Sequence, residues 1–600
     1  MTHHTSPHTF HIPVMGLSYT IDTPIKVAQF GIDSVISIVD DELIEKMNAL
    51  YSNKFSLPYK EITTKMADFR AERITSYLNL VDRIVKKKFS SFCNDLADNR
   101  QTLQKFINML PQASAIRQGL QFYAGSVFDK SNEVRNYLAK HFQPGAIDVN
   151  IMTKVDRANY DKNIKQPVAF NDAHSALRGF AQSNLSSSLV LSAGMNPSLY
   201  NYIAEFSDFF PDNKGYLKKK IILKVSDFRS AMIQGSFLAK KGIWVSEYRI
   251  ESGLNCGGHA FATDGLLLGP IMEEFKQRKE ELVTSSYALL TKAYVQLGKD
   301  LPSNALGLKI TVQGGVGTAK EHEFLLDYYN ADSVGWGSPF LLVPEATTTD
   351  AETRKLLSRA KESDFYRSDI SPLGVPFNTV SGTSNEYFKN RRIEQNKAGS
   401  SCPRKLLALN PEYDEQGLCT ASRKYQQIKL NELELQKELL AIDALKEKKE
   451  AITVKSCLCI GLVNSAYIEN NITIKGESQG VVICPGPNMA YFKKDVSLYD
   501  MIGHIYGYSS VLDNISRPNF LIKELELYVD YLAKEVNDTV KEITAIQVKK
   551  WNVFKTNLLN GIAYYEELFA KHRFHYLENQ DIFKTLNDYK LRLQGIDVPV

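Results

Sequence analysis

The chain has 600 residues, 44% apolar and 23% charged, ordinary proportions for a globular protein and enough material for a large core. Lys plus Arg number 72 against 68 Asp plus Glu, and a net +4 gives no ground for nucleic-acid binding. No apolar run approaches the ~18 residues of a membrane span, and Met1-Thr2-His3-His4-Thr5-Ser6 lacks the basic and apolar regions of a secretory signal, so a reducing cytoplasm is expected.

Strands alternate with helical stretches through the first 340 residues. The strands are expected at His11–Leu17, Ser34–Val39, Ile147–Thr153, Ser188–Ser192, Lys220–Val225, Ile243–Glu247, Leu308–Gln313 and Ser333–Gly337. Several are continuous apolar runs, as in parallel strands buried on both faces. Helices between them imply βαβ units closing into a (β/α)8 TIM barrel, an α/β fold, over residues 1–345. The charged, periodic stretch 41–144 after the second strand reads as an insertion of several helices, and Pro270 to Leu297 as a shorter helical extension. Beyond Pro344 the pattern changes. Ala346 to Asn396 is polar with loop signals at Ser371-Pro372-Leu373-Gly374-Val375-Pro376. Residues 346–496 form a cysteine-containing segment, within which Ser422 to Ala451 reads as one charged amphipathic helix carrying Leu430, Leu433, Leu435, Leu439 and Leu440. Residues 497–600 read as a helical C-terminal region rich in Tyr, Phe and Leu.

Three glycine-bearing strand ends stand out: Cys256-Gly257-Gly258-His259, Gly314-Gly315-Val316-Gly317 and Gly335-Trp336-Gly337-Ser338. Two successive glycine turns late in a barrel bring backbone amides close to a ligand and suit a phosphate. The bland reading, that they are only turns, stands beside it. His259 is either an ordinary loop histidine or a proton-transfer group at the catalytic end of the barrel. Asn150 is a polar residue in an apolar run. Lys224, a charge inside a buried strand pattern, needs a partner, either a ligand or a salt bridge. Glu247, Arg249 and Glu251 suit substrate contacts or ion pairs equally.

Five of the seven cysteines, Cys402, Cys419, Cys457, Cys459 and Cys484, fall in one late segment with no histidine between His322 and His504. In a reducing compartment this suggests thiolate ligation, either an iron–sulfur cluster or a four-cysteine zinc, at Cys402, Cys419, Cys459 and Cys484, with Cys457 as alternate. Buried unreactive cysteines are the competing reading.

Residues 11–345 resemble the nitronate monooxygenase and flavin-type enoyl-acyl-carrier-protein reductase family. The likeness rests on Val149-Asn150-Ile151-Met152, Ser192-Ala193-Gly194-Met195-Asn196-Pro197, Cys256-Gly257-Gly258-His259 and the Gly314-Gly315-Val316 and Gly335-Trp336-Gly337-Ser338 pair, in that order. The chain departs from the family pattern around His259, with Asn255-Cys256 before the glycines and Ala260-Phe261 after. The resemblance implies an FMN-dependent oxidoreductase acting on a small molecule and served by a redox partner. His259 would move a proton. Asn150, Lys224, Gly258, Gly314, Gly315, Gly317, Gly335, Gly337 and Ser338 would contact the cofactor. An iron–sulfur cluster at the late cysteines would pass electrons to it. Two alternatives stand: a flavin-free phosphate-binding isomerase or lyase, and a scaffold built on a degenerate barrel.

Overall fold

Eight strands build the centre of the molecule: β1 (Phe10–Ile12), β2 (Asp33–Ser37), β3 (Ile147–Ile151), β4 (Ser187–Leu191), β5 (Lys219–Val225), β6 (Val245–Glu251), β7 (Lys309–Gln313) and β8 (Ser333–Gly335). This computed structural model describes residues 6–125, 130–192, 194–255, 264–473, 480–512, 517–537, 543–572 and 581–598. The strands close in the order β1-β8-β7-β6-β5-β4-β3-β2, every neighbouring pair parallel. The eight expected strands thus all form, and the α/β barrel is the fold. Strands this short hold because both faces are covered: all five residues of β3 and of β4 are buried.

The barrel interior is divided. Val35, Val190 and Ile222 pack with one another and Val14, apart from the main core, as inward-facing side chains do. Elsewhere the filling is ionic: Arg249 pairs with Glu247 at 2.7 Å, and Thr311 donates to the same carboxylate. Asp148, buried, accepts the Ser188 amide at 2.8 Å. Burial pushes its carboxyl up to about 6, and Asp33 adds to the effect. Between its unfolded and folded pKa the native state holds the extra proton, so Asp148 contributes less stability as pH rises from about 4 to about 6. Asp148→Asn keeps the acceptor. The thermal midpoint of the wild type is therefore expected to fall relative to the variant across that window and to run parallel to it above. A gap that does not change with pH would refute this.

Among the described residues the insertion after β2 holds five helices, Asp41–Lys54, Phe69–Asp98, Arg100–Met109, Ala115–Ala124 and Ser131–His141. Asp40 caps the first, accepting the amides of Glu42 and Leu43. The long second helix lays Ile74, Leu78 and Val81 on the barrel side, whereas Leu103, Phe106, Leu120 and Leu138 form a separate small core further out. The extension before β7 is one helix, Leu268–Leu297.

For the later chain the expected loop at 371–376 forms, and one expectation, the single helix from Ser422 to Ala451, is corrected. The polar stretch after Pro344 is structured, with helices Ala351–Arg359 and Ser384–Glu394 flanking an antiparallel hairpin, Phe365–Ser368 with Phe377–Val380. Its polarity reflects one solvent-facing side; Asp350 caps the first helix through Thr353. The expected single helix from Ser422 to Ala451 is two, Arg423–Leu435 and Ile442–Thr453. Of its leucine stripe Leu433 is buried, but Leu435 and Leu439 are 87% and 85% exposed, so no packing surface holds that stretch straight.

The C-terminal region is helical as expected: Leu498–Ile505, Phe520–Asn537, Ala545–Lys571 and Ile582–Gln594. Its inward residues Tyr528, Leu558, Tyr565 and Leu586 share one apolar core with the barrel helices. Among the described residues no single helix is long and apolar enough to cross a membrane.

Candidate functional site

The C-terminal ends of parallel barrel strands leave polar side chains and loops facing one mouth. Here that mouth holds a cavity of about 220 Å³. Its floor and wall come from the strand ends: Ser37 on β2, Asn150 and Met152 at β3, Ser192 after β4, Lys224 on β5 and Glu251 on β6. Its roof comes from later segments: Arg367, Phe377 and Asn378 of the hairpin, Leu406 and Leu407, Leu458 and Leu462, and Tyr528 of the helix Phe520–Asn537. The result is a chamber with a polar floor under a mostly apolar roof that also carries Arg367 and Asn378, the usual character of a small-molecule site.

Two floor atoms define what the chamber lacks. Ser37 Oγ and Asn150 Oδ1 are buried and have no hydrogen-bond partner among the described residues. Ser37 and Asn150 face each other in the β2–β3 register, so the two atoms belong to adjacent strand ends. An unsatisfied buried polar atom costs roughly 1–3 kcal/mol, which a ligand offering a donor would recover.

Lys224 is paired with Glu251 at 3.0 Å, which meets the buried cation's need for a partner. The same Glu251 oxygen accepts Asn255 Nδ2 at 2.6 Å and Gln313 Nε2 at 2.8 Å. Of the charges left open by sequence, Glu251 lies on the chamber, while Glu247 and Arg249 pair inside the barrel. Asn196 caps the helix Pro197–Ile203 through the Leu199 amide and ties back to the Thr153 carbonyl. That part of the motif therefore shapes the loop after β4.

The six residues Gly314, Gly315, Gly317, Gly335, Gly337 and Ser338 lie at the ends of adjacent strands β7 and β8, and none of them lines the chamber. The turns are packed by the chain itself. A Cβ on Gly314 would lie 2.9 Å from the Ser252 side chain and 3.0 Å from the Asn255 backbone; one on Gly315 would lie 2.6 Å from Leu254. Both glycines have positive φ. The Gly317 amide donates to Glu321 at 2.9 Å, and Glu321 also takes Arg517 at 2.5 Å and the Phe520 amide at 3.1 Å. Asn488 donates to the carbonyls of Gly315 and Val316, His504 to that of Gly317, and the Gly486 amide to Ser338. The chamber thus presents two unmet polar atoms beside the Lys224–Glu251 pair, while the turn after β7 has the Gly317 amide already taken by Glu321.

Gly258 and His259 lie outside the described residues. The ends of their segment are held by one side chain that sequence reasoning missed, Glu524 of the C-terminal helix. Its carboxylate accepts Ser252 Oγ at 2.8 Å, the Gly253 amide at 3.1 Å and the Leu268 amide at 2.7 Å.

The expected metal centre is corrected. Among the described residues no group of three or more His, Cys, Asp or Glu is placed to hold a metal ion. Cys402, Cys419 and Cys459 lie in electrostatic reach of one another, and Cys459 and Cys484 line the chamber. The four named ligands crowd in sequence because this segment wraps the barrel mouth, where cysteine serves as a small buried apolar side chain.

No family model and no curated protein sequence matches the chain. Solved structures align with the chain at low similarity. They include the enoyl reductase domain of MlnA from the macrolactin biosynthesis cluster of Bacillus amyloliquefaciens (15% identity, 71% of this chain and 84% of that one, TM-score 0.31). FabK from Thermotoga maritima aligns at 12% identity over 69% and 86%, with a TM-score of 0.30. A nitroalkane oxidase from Streptomyces ansochromogenes aligns at 8% over 66% and 85%, with a TM-score of 0.28. At such similarity the barrel stands on its own strand pairing, and the function on the chemistry of the chamber.

Proposed function

We propose that this chain is a flavin-dependent oxidoreductase of small molecules, with the ring of the cofactor and its substrate in the roofed chamber. The observation that carries the reading is the unpartnered pair Ser37 Oγ and Asn150 Oδ1 on the chamber floor. A flavin ring edge offers the N–H and carbonyl groups such a pair would meet. When bound, the flavin supplies the hydride or electron exchange that no protein side chain provides.

The chain's own residues do the rest. Asn150 orients the ring edge. Lys224, paired with Glu251 at the chamber wall, favours negative charge on it. The apolar part of the roof, Phe377 and the four leucines, limits water and strengthens both effects. His259, next to Gly258, is the proposed proton carrier. The phosphate end is assigned to Gly314, Gly315, Gly335, Gly337 and Ser338, and binding there needs Leu254 and Asn255 to move off the first two. Gly317 keeps its amide on Glu321.

An absorption spectrum of protein purified without oxygen, with FMN added back, tests the reading. Flavin bands, or quenching of added FMN with a Kd weakened about tenfold or more in Asn150→Leu (a loss of ~1.4 kcal/mol or more), support it. A colourless protein that takes up no FMN sinks it. His259→Ala is expected to keep the flavin and lose turnover by at least ~100-fold; unchanged turnover removes His259 from the mechanism.

A further inference from the structure

We propose that the substrate of the chamber is a small carboxylate, and that Arg367 on the roof receives its carboxylate group with Asn378 beside it. The inference rests on the reading of the chamber as the active site of an oxidoreductase, and it names the class of molecule that site takes.

The hairpin brings the two side chains together. Arg367 and Asn378 stand opposite each other in the antiparallel register of Phe365–Ser368 with Phe377–Val380. Directly opposed residues of a hairpin project from the same face, and both of these line the chamber. Their neighbours on the roof, Phe377, Leu406 and Leu407, are apolar. Among the described residues of the roof, Arg367 carries the one charge.

An arginine so placed needs an anion. Among the described residues its guanidinium makes no hydrogen bond or ion pair; it stacks on the ring of Tyr531, 4.4 Å from the centroid. Burial works against its charge and draws its pKa below the ordinary arginine value. Two acids, Glu535 and Asp530, act on it from a distance, and Asp530 is already bonded to Arg592 at 2.7 Å. A ring against one face of a guanidinium leaves the N–H edge open, and that edge is a planar fork matched to a carboxylate. The carboxamide of Asn378 adds an N–H donor for the same oxygens.

The balance of charge around the chamber agrees. Its described lining carries three cations, Lys154, Lys224 and Arg367, against one carboxylate, Glu251. Glu251 is paired with Lys224. Lys154 lies against Gly194 in the loop after β4. The positive charge of the roof therefore stands without a counter-ion, and an uncharged substrate would bury it further at a cost. A carboxylate held there directs the rest of the molecule toward the polar floor, where the flavin ring is assigned.

Calorimetric titration of the full chain, with and without FMN, tests this with hexanoate as the probe and hexanamide as its uncharged counterpart. Hexanoate is expected to bind the FMN-loaded protein at least about tenfold more tightly than hexanamide, the margin of a charge-assisted hydrogen bond. In Arg367→Gln that preference is expected to vanish while FMN still binds. Equal binding of the two probes to the wild type, a result that needs no variant, overturns the proposal. So does a folded Arg367→Gln that still prefers hexanoate. Failure of the flavin reading looks different: no FMN is taken up, yet hexanoate binds ahead of hexanamide and loses that lead in Arg367→Gln, which keeps the carboxylate site and removes the flavin.

Discussion

Glu321→Ala is expected to destabilise the protein by about 3–5 kcal/mol, the usual result of removing one partner from a buried ion pair. The side chains of Glu321 and Arg517 are only 3% and 5% exposed. The substitution removes the carboxylate facing a buried guanidinium and also strips the Gly317 and Phe520 amides of their acceptor. Unfolding entropy near 2.1 cal/mol/K per residue makes this a fall of about 2–4 °C in thermal midpoint if the whole chain unfolds as one unit. Because the loss comes mainly from the abandoned charge, the double change Glu321→Met with Arg517→Met is expected to recover most of it. A single variant as stable as the wild type, or a double variant worse than the sum of the singles, contradicts the assignment.

The second large effect is expected at Glu524, where the isosteric change is the informative one. All three of its partners, Ser252 Oγ, the Gly253 amide and the Leu268 amide, donate, so a carboxylate satisfies them and a carboxamide cannot. In Glu524→Gln the NH2 group must face at least one donor. Each donor left unmet costs roughly 1–3 kcal/mol. The variant is therefore expected to fold but to melt lower than wild type by about 1–2 °C. Hydrogen exchange at the Gly253 and Leu268 amides is expected to speed up at least tenfold while the barrel strands stay protected. Unchanged exchange at both amides would show that the carboxylate does not hold these two ends together.

The barrel was legible because its strands are buried on both faces and so appear as apolar runs ending in glycine or a polar residue. Asn150 and Lys224 were visible for the same reason: a polar residue in an apolar run must be explained, and both line the chamber. Ser37 gave no such signal, since a serine is small enough to pass unnoticed in a strand. The roof was beyond reach. Arg367, Leu406, Leu458 and Tyr528 lie in four separate stretches of polar or helical pattern, and only the tertiary fold brings them over one opening. The cysteines misled because nearness was read as ligation: Cys402, Cys419 and Cys459 come into electrostatic reach of one another without forming a metal-holding group, and Cys459 and Cys484 face the chamber from different segments. Glu524 is a single acid on an amphipathic helix, where an acid is ordinarily solvated.

The split between floor and roof has a consequence for biosynthesis. Every strand of the barrel, and with it the polar floor, precedes the hairpin at Phe365–Ser368, and the last roof residue, Tyr528, follows much later. A ribosome moving at ~5–20 residues per second releases the closed barrel seconds before its cover. During that interval the apolar rim of the mouth is open to water and to other chains. A small molecule able to bridge Ser37 and Asn150 early would therefore act as a folding aid as well as an occupant. Added during translation, it should raise the soluble yield more than the same amount added to the finished protein.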